Sequence, residues 1–158
     1  MSNYRGHVKH NCLFWFPTAF LVLHFWMHPT YSQLGAFSGA FFYATFFMNP
    51  DLDLVHQVKL FSVRGLCSLP FRWYSRVFMH RGISHHIILG TVSRLVWAFG
   101  VYLIVFYFLY RSLDGYDSFF YYVSLHKHLV YYGVFGVFFA DLGHLLVDGI
   151  GIKRLFRL

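Results

Sequence analysis

The 158-residue sequence contains no glutamate and few charged residues of any kind. Charged residues make up 12% of the chain, whereas 58% of its residues are hydrophobic and 23% are aromatic. A soluble domain needs a largely polar surface around its core, and this composition cannot supply one. The scarcity of charge therefore excludes a soluble globular domain and predicts a membrane protein.

Cysteine is also scarce, since the chain has only Cys12 and Cys67, far apart in the sequence. No Cys-x-x-Cys pair is present, so neither a disulfide framework nor a cysteine metal site is indicated. Histidine, in contrast, occurs 11 times, and all six acidic residues are aspartate. The candidate metal ligands of this histidine-rich chain are therefore imidazoles and aspartate carboxylates.

Four long apolar runs predict four transmembrane helices. At a rise of about 1.5 Å per residue, each run approaches or exceeds the hydrocarbon thickness of about 30 Å. The predicted fold is an all-α membrane protein, a four-transmembrane-helix bundle that forms a single domain over residues 1–158. The predicted helices span residues 12–28, 31–48, 87–110 and 129–148.

The basic residues are distributed unevenly around these helices. Ten of the 13 lysines and arginines lie in the amino terminus, the loop 49–86 or the carboxyl terminus. The positive-inside rule then predicts a multi-pass protein of the inner or plasma membrane with both termini and this loop in the cytoplasm. The loop mixes aromatics with spaced arginines, which is typical of an interfacial segment, although these charges also serve to set the topology. We expect membrane lipids and not nucleic acid as partners, and the sequence leaves assembly into an oligomer open.

Asp141, His144 and Asp148 recur at helical spacing in the last apolar run. Residues three and seven positions apart share one stripe of a helix. An unpaired aspartate at membrane depth costs about 3 kcal/mol, so these carboxylates need a cation, a basic partner or a proton. A metal ion suits a histidine placed between two carboxylates, and the alternative is an ion pair with Arg81 or Arg94.

Further aspartates and histidines cluster at the two ends of the loop 49–86. Pro50 stops the second helix, and Asp51 and Asp53 alternate in the extended segment after it, so both can face one ion. Before the third helix, the motif HRGISHH gathers three imidazoles beside a glycine turn, with Ser84 as the predicted N-cap. These imidazoles belong to His80, His85 and His86.

Two more polar features belong to the first and third helices. Arg94 lies two turns beyond His86 on the same predicted helix face. It either grips a phosphate or carboxylate group or snorkels towards the membrane surface. His7 and His10 form an i, i+3 pair before the first helix, and both are candidate ligands. The predicted metal set includes His10.

The segments MNPDLDL, FRWYSRVFMHRGISHHIILGTVSRL and DLGHLLVD resemble a family of uncharacterised integral-membrane metal-binding proteins. They are similar, more distantly, to the membrane-bound metal-dependent hydrolase family of the LexA-regulated type. The resemblance covers residues 49–95 and the last apolar run, with weaker support from the segment RGHVKHN at residues 5–11. His86 departs from the pattern, since a small or hydroxyl residue is expected at that position. The metal site that the resemblance implies consists of Asp51, Asp53, His80, His85, Asp141, His144 and Asp148.

The leading hypothesis is a membrane-embedded metal-dependent hydrolase that acts on a phosphoester or lipid-like substrate at the cytoplasmic face. Aspartate oxygens and imidazoles suit one or two ions of Zn²⁺, Mn²⁺ or Fe²⁺, whose bound water attacks at neutral pH. Arg81 or Arg94 would stabilise oxyanion charge, and His86 would protonate the leaving group. One alternative is metal binding or transport without catalysis. The other is a non-haem di-iron oxidase, against which the aspartate-rich ligand set argues.

Overall fold

The structure, a computed structural model, describes residues 4–48, 61–77, 86–111 and 115–147. Over these residues the chain is helical and contains no strand. Long helices occupy all four predicted apolar runs, and shorter helices lie between them. In chain order the helices are α1 (Tyr4–His10), a π-helix (Asn11–Trp15), α2 (Phe16–Met27), α3 (Tyr31–Phe47), α4 (Val63–Cys67), a 3₁₀ turn (Leu69–Phe71), α5 (Tyr74–Val77), α6 (Ile87–Tyr110), α7 (Gly115–Leu125) and α8 (Lys127–Val147).

The first predicted helix begins earlier than its apolar run and contains an irregular segment. Helical backbone continues from Tyr4 through the π-helix to Met27, because both residues that flank the π-helix keep right-handed helical angles. The apolar run starts only at residue 12 because the preceding residues are mostly polar, and polar residues are readily accommodated in a helix. The last helical residue is Met27, and the C-cap residue that follows it, His28, has a left-handed φ of 46°.

Helix α3 starts with a complete capping box and packs along α8. The Thr30 side chain accepts a hydrogen bond from the Gln33 main-chain N–H, and the Gln33 side chain accepts one from the Thr30 N–H. Gly136 of α8 permits close contact, because a Cβ there would overlap the Phe37 carbonyl oxygen. Buried Phe37 and Phe41 of α3 meet α8 at this contact, which forms the centre of the core.

The described part of the loop 49–86 packs against α6. Phe71 and Tyr74 are buried in the core. The Tyr74 hydroxyl lies 2.8 Å from Ser93 Oγ, and Trp97 Nε1 donates to the Pro70 carbonyl oxygen at 2.8 Å. These contacts fix residues 61–77 beside the amino-terminal half of α6.

Within the described residues, two helices are long and apolar enough to cross a membrane, at Ile88–Tyr110 and Lys127–Val147. They correspond to the third and fourth predicted spans, so the structure supports two of the four by length and composition, and the four-span bundle stays a prediction. Helix α7 lies in the connection between the third and fourth predicted helices, where no helix was predicted from the sequence. It packs on α6 through aromatic residues, with the rings of Phe99 and Phe119 5.2 Å apart.

Candidate functional site

Arg94 and Asp141 form a buried ion pair between α6 and α8. Arg94 Nη2 lies 2.6 Å from Asp141 Oδ2, and each side chain is 1% exposed. Thr91 Oγ1 donates a hydrogen bond to the same oxygen at 2.5 Å. Thr91 and Arg94 are three residues apart, so both face α8 from one side of α6. Arg94, one of the partners weighed for Asp141 from the sequence, lies beside it, and Arg81 lies outside the described residues.

The other nitrogens of Arg94 donate to the main chain. Nε donates to the Gly90 carbonyl oxygen at 2.9 Å, and Nη1 donates to the Met48 carbonyl oxygen at 2.9 Å. The planar guanidinium group therefore joins the carboxyl end of α3 to α6 and α8. Because Arg94 is buried, it does not snorkel to the surface. Its proposed contact with a substrate oxyanion stays a prediction.

The second oxygen of Asp141, Oδ1, is buried and has no hydrogen-bond partner among the described residues. A buried acceptor without a partner costs about 1–3 kcal/mol, and more when it is charged. Carboxylate oxygen is a preferred ligand of hard divalent cations. Asp141 is therefore held through one oxygen and offers the other to a ligand.

Two histidines meet at the same end of α8. The rings of His7 and His144 stack with centroids 4.0 Å apart and planes inclined by 20°. The two residues are 2% and 1% exposed. His144 lies one turn beyond Asp141, so the end of α8 gathers the carboxylate and both imidazoles. His10, the histidine in the predicted metal set, is instead half-buried, with its ring 6.2 Å from that of Phe14.

Asn11 and Trp15, at the two ends of the π-helix, donate to consecutive carbonyl groups of α8. Asn11 Nδ2 donates to the Ala140 oxygen at 2.9 Å, and Trp15 Nε1 donates to the Phe139 oxygen at 2.6 Å. Gly143 permits this approach, since a Cβ there would overlap the side chains of both donors. Neither residue was predicted from the sequence as part of the site. The one sequence signal for them is the i, i+4 spacing that places them on one helix face.

His86 is the N-cap of α6, so the prediction that Ser84 caps this helix is wrong. His86 Nδ1 accepts a hydrogen bond from the Leu89 main-chain N–H at 3.3 Å. In the neutral ring an accepting Nδ1 leaves the proton on Nε2. A histidine acts as a general acid in its imidazolium form, in which Nδ1 also carries a proton and cannot accept this cap hydrogen bond.

The remaining predicted site residues lie outside the described part of the chain. Within that part, no group of three or more His, Cys, Asp or Glu side chains is placed to hold a metal ion. Asp141 and His144 are thus the two predicted ligands that the structure buries at one end of α8. The residues outside the described part are Asp51, Asp53, His80, Arg81, His85 and Asp148.

These features define a class of protein: all-helical, with apolar helices long enough to span a membrane and a buried Asp–His–Arg centre between them. The chain matches the sequence model of one family over residues 5–156, nearly its whole length. It belongs to the family described as "Uncharacterized metal-binding protein (DUF2227)". Membership confirms the metal-binding part of the resemblance, whereas the similarity to hydrolases stays a prediction. Comparison with curated proteins and with solved structures gave no match.

Proposed function

We propose that this protein is a membrane-embedded metal-dependent hydrolase acting on a phosphoester or lipid-like substrate at the cytoplasmic face. The observation that carries its metal site is the buried, open Oδ1 of Asp141. Arg94 and Thr91 both bind the other oxygen and so hold the carboxylate in one orientation. A ligand fixed by partners of this kind is typical of protein metal sites. The description of the family as metal-binding also supports a metal ion as the ligand of this site.

Exposed apolar surface supports placing the helices in a membrane. Along α6, large side chains such as Val96, Phe108 and Leu109 are exposed, and Phe25 and Trp26 are exposed on α2. Soluble monomers rarely expose a contiguous apolar patch of more than a few hundred Å². Lipid is the surrounding that such faces fit, and we propose four spans with both termini in the cytoplasm.

The described part of the loop 49–86 supports an approach from the lipid headgroup layer. Phe61, Val63 and Trp73 are exposed there. The guanidinium carbon of Arg76 lies 5.6 Å from the centre of the Trp73 ring. Exposed aromatics next to basic side chains are typical of segments at the membrane surface. We propose that the substrate reaches the site along this segment from the cytoplasmic leaflet.

The metal would be held by residues from both ends of the loop 49–86 together with α8. Asp141 and His144 are the proposed ligands within the described part. The others adjoin described site residues in the sequence, since the aspartate pair follows α3 and two histidines precede α6. Carboxylates and imidazoles together fit Zn²⁺, Mn²⁺ or Fe²⁺, as one or two ions. The proposed ligands outside the described part are Asp51, Asp53, His80, His85 and Asp148.

Each catalytic role falls to a different residue. A divalent ion, when bound, supplies a water acidified enough to attack at neutral pH. Arg94 orients Asp141 in this proposal, because its three donor nitrogens all bind protein oxygens. Stabilisation of oxyanion charge then falls to Arg81. His86 protonates the leaving group as an imidazolium, a form that first requires Nδ1 to release the Leu89 N–H.

Metal content is the first test. The full chain is purified in mild detergent without chelators, and bound metals are measured by mass spectrometry. We expect one or two equivalents of Zn, Mn or Fe, lost in Asp141→Asn because the amide is a much weaker ligand than the carboxylate. Asp117→Asn is the matched control, since Asp117 is exposed on α7. Undiminished metal in Asp141→Asn would remove this residue from the site.

Hydrolysis is tested on the same preparation. Metal-loaded protein is screened against phosphoester and lipid substrates before and after treatment with a chelator. We expect turnover that disappears with the metal and returns when the metal is restored. Turnover that survives complete metal removal would contradict the proposed mechanism.

Metal binding without catalysis is the second candidate function. The observation that favours it is the burial of Arg94, a predicted catalytic group whose described contacts are all with protein. Bound metal with no turnover across the substrate screen would select this candidate. Transport is tested by metal uptake into sealed vesicles, and the placement of Asp141 and His144 at one end of α8 argues against it.

A further inference from the structure

We propose that His7 is a metal ligand acting together with His144, so that the amino-terminal helix forms part of the metal site. The inference rests on the proposed metal-binding function and adds to its metal site a ligand from the amino-terminal helix. His7 is 2% exposed although it lies only a few residues from the amino terminus. Its ring contacts the one histidine of α8 that shares a stripe with Asp141.

The distance between the rings suits a shared ion. Two nitrogen ligands of one zinc ion are at most about 4.2 Å apart, because each Zn–N bond is about 2.1 Å long. The centroids of His7 and His144 are 4.0 Å apart, so the two rings are close enough to share an ion once one of them turns. The planes are inclined by only 20°, and each nitrogen lone pair lies in its ring plane, so binding a shared ion requires one ring to rotate about its Cβ–Cγ bond.

The register between α1 and α8 places His7 on His144. Asn11 donates to the Ala140 carbonyl oxygen, and the two helices run antiparallel. His7 lies one turn before Asn11, and His144 lies one turn after Ala140. Because the helices are antiparallel, one turn back from Asn11 and one turn forward from Ala140 lead to the same height along the helix pair. The Asn11 hydrogen bond therefore brings the two rings together. Asn11 is thus a positioning residue for the histidine pair.

The test measures the Zn²⁺ affinity of the full chain in detergent by competition with a chromophoric chelator. We expect His7→Gln to weaken binding by about a hundredfold or more, since loss of an outer-shell partner alone costs about 10–100-fold. His24→Gln is the matched control, because it removes an exposed imidazole of α2 that is not in the predicted metal set, and its affinity should equal that of the wild type. The absorption spectrum of the Co²⁺ form should change in His7→Gln alone.

The outcomes separate this proposal from the function on which it rests. Wild-type affinity and an unchanged Co²⁺ spectrum in His7→Gln would overturn the role of His7 and leave the metal site intact. A wild-type chain that binds no metal would overturn the proposed function itself.

If His7→Gln does not fold, as shown by the loss of its helical circular dichroism, a measurement on the wild-type chain tests whether His7 binds the metal. Cu²⁺ binds nitrogen and oxygen sites more tightly than Zn²⁺. Ascorbate reduces the bound Cu²⁺ to Cu⁺, dissolved oxygen then forms oxidants at the copper, and these modify the ligating histidines, which are mapped by mass spectrometry. We expect modified His7 and His144 and unmodified His24, and an unmodified His7 would overturn the proposal.

Discussion

Helices α6 and α8 both have the length and composition of a membrane span, but their surroundings differ. Buried residues occur on α8 from Gly136 to Leu145, whereas no residue of α6 after Arg94 is buried. Hydropathy does not distinguish an apolar helix in a protein core from one that faces lipid, whereas packing does. The comparison identifies α8 as the central helix that carries the site. Helix α6 is peripheral, and it contacts α8 through the buried ion pair of Arg94 and Asp141.

Breaking that ion pair should have the largest effect. We expect Arg94→Met to lower the free energy of unfolding by about 3–5 kcal/mol, because Asp141 would stay buried without its counter-charge. Unfolding in detergent, followed by circular dichroism, measures the change. The double variant Arg94→Met, Asp141→Leu should recover most of the loss, since it removes both charges. An Arg94→Met chain as stable as the wild type would show that another group balances Asp141.

A charge on the exposed face of α6 tests whether that face meets lipid. Val96 is exposed and lies near the middle of the helix. We expect Val96→Asp to raise the apparent free energy of membrane insertion of the segment 87–110 by about 2.5–3.5 kcal/mol. Glycosylation reporters on either side of the segment measure insertion, and Val96→Leu is the control. Equal insertion of the Asp and Leu variants would contradict a lipid-facing α6.

Local spacing predicted those parts of the site that lie on a single helix. Asp141 and His144 were expected on one stripe of the last helix, and both are buried on α8. The spacing from His86 also placed Arg94 on a defined face of its helix. Its partner was left open between a ligand, the membrane surface and Asp141, because spacing within one helix does not fix the distance to another. Only the packing of α6 against α8 decides among these alternatives.

The contribution of α1 could not be predicted for a related reason. A count of apolar residues begins after His7 and Asn11, since polar residues surround them. The π-helix that follows also changes the angular spacing of side chains, so a period of 3.6 residues misplaces the face that α1 and α2 present to α8. Helix α7 was not predicted because the helices were identified from long apolar runs, and its segment GYDSFFYYVSL mixes polar and aromatic residues.

The same substitution at one glycine of each helix should give the smallest but most direct contrast. A Cβ at Gly136 of α8 would overlap the Phe37 carbonyl oxygen, which belongs to the backbone and cannot move aside, whereas the space around Gly100 of α6 is open. We expect Gly136→Ala to cost about 1–3 kcal/mol through overpacking. Gly100→Ala should gain up to about 1 kcal/mol, because alanine is the better helix former. Both variants are unfolded thermally in the same detergent. The intrinsic helix propensity changes equally in the two variants, so a difference in sign isolates the surroundings of each helix. An increase in the free energy of unfolding at both positions would mean that α3 and α8 lie farther apart than in the structure. That result would contradict the assignment of α8 as the core helix.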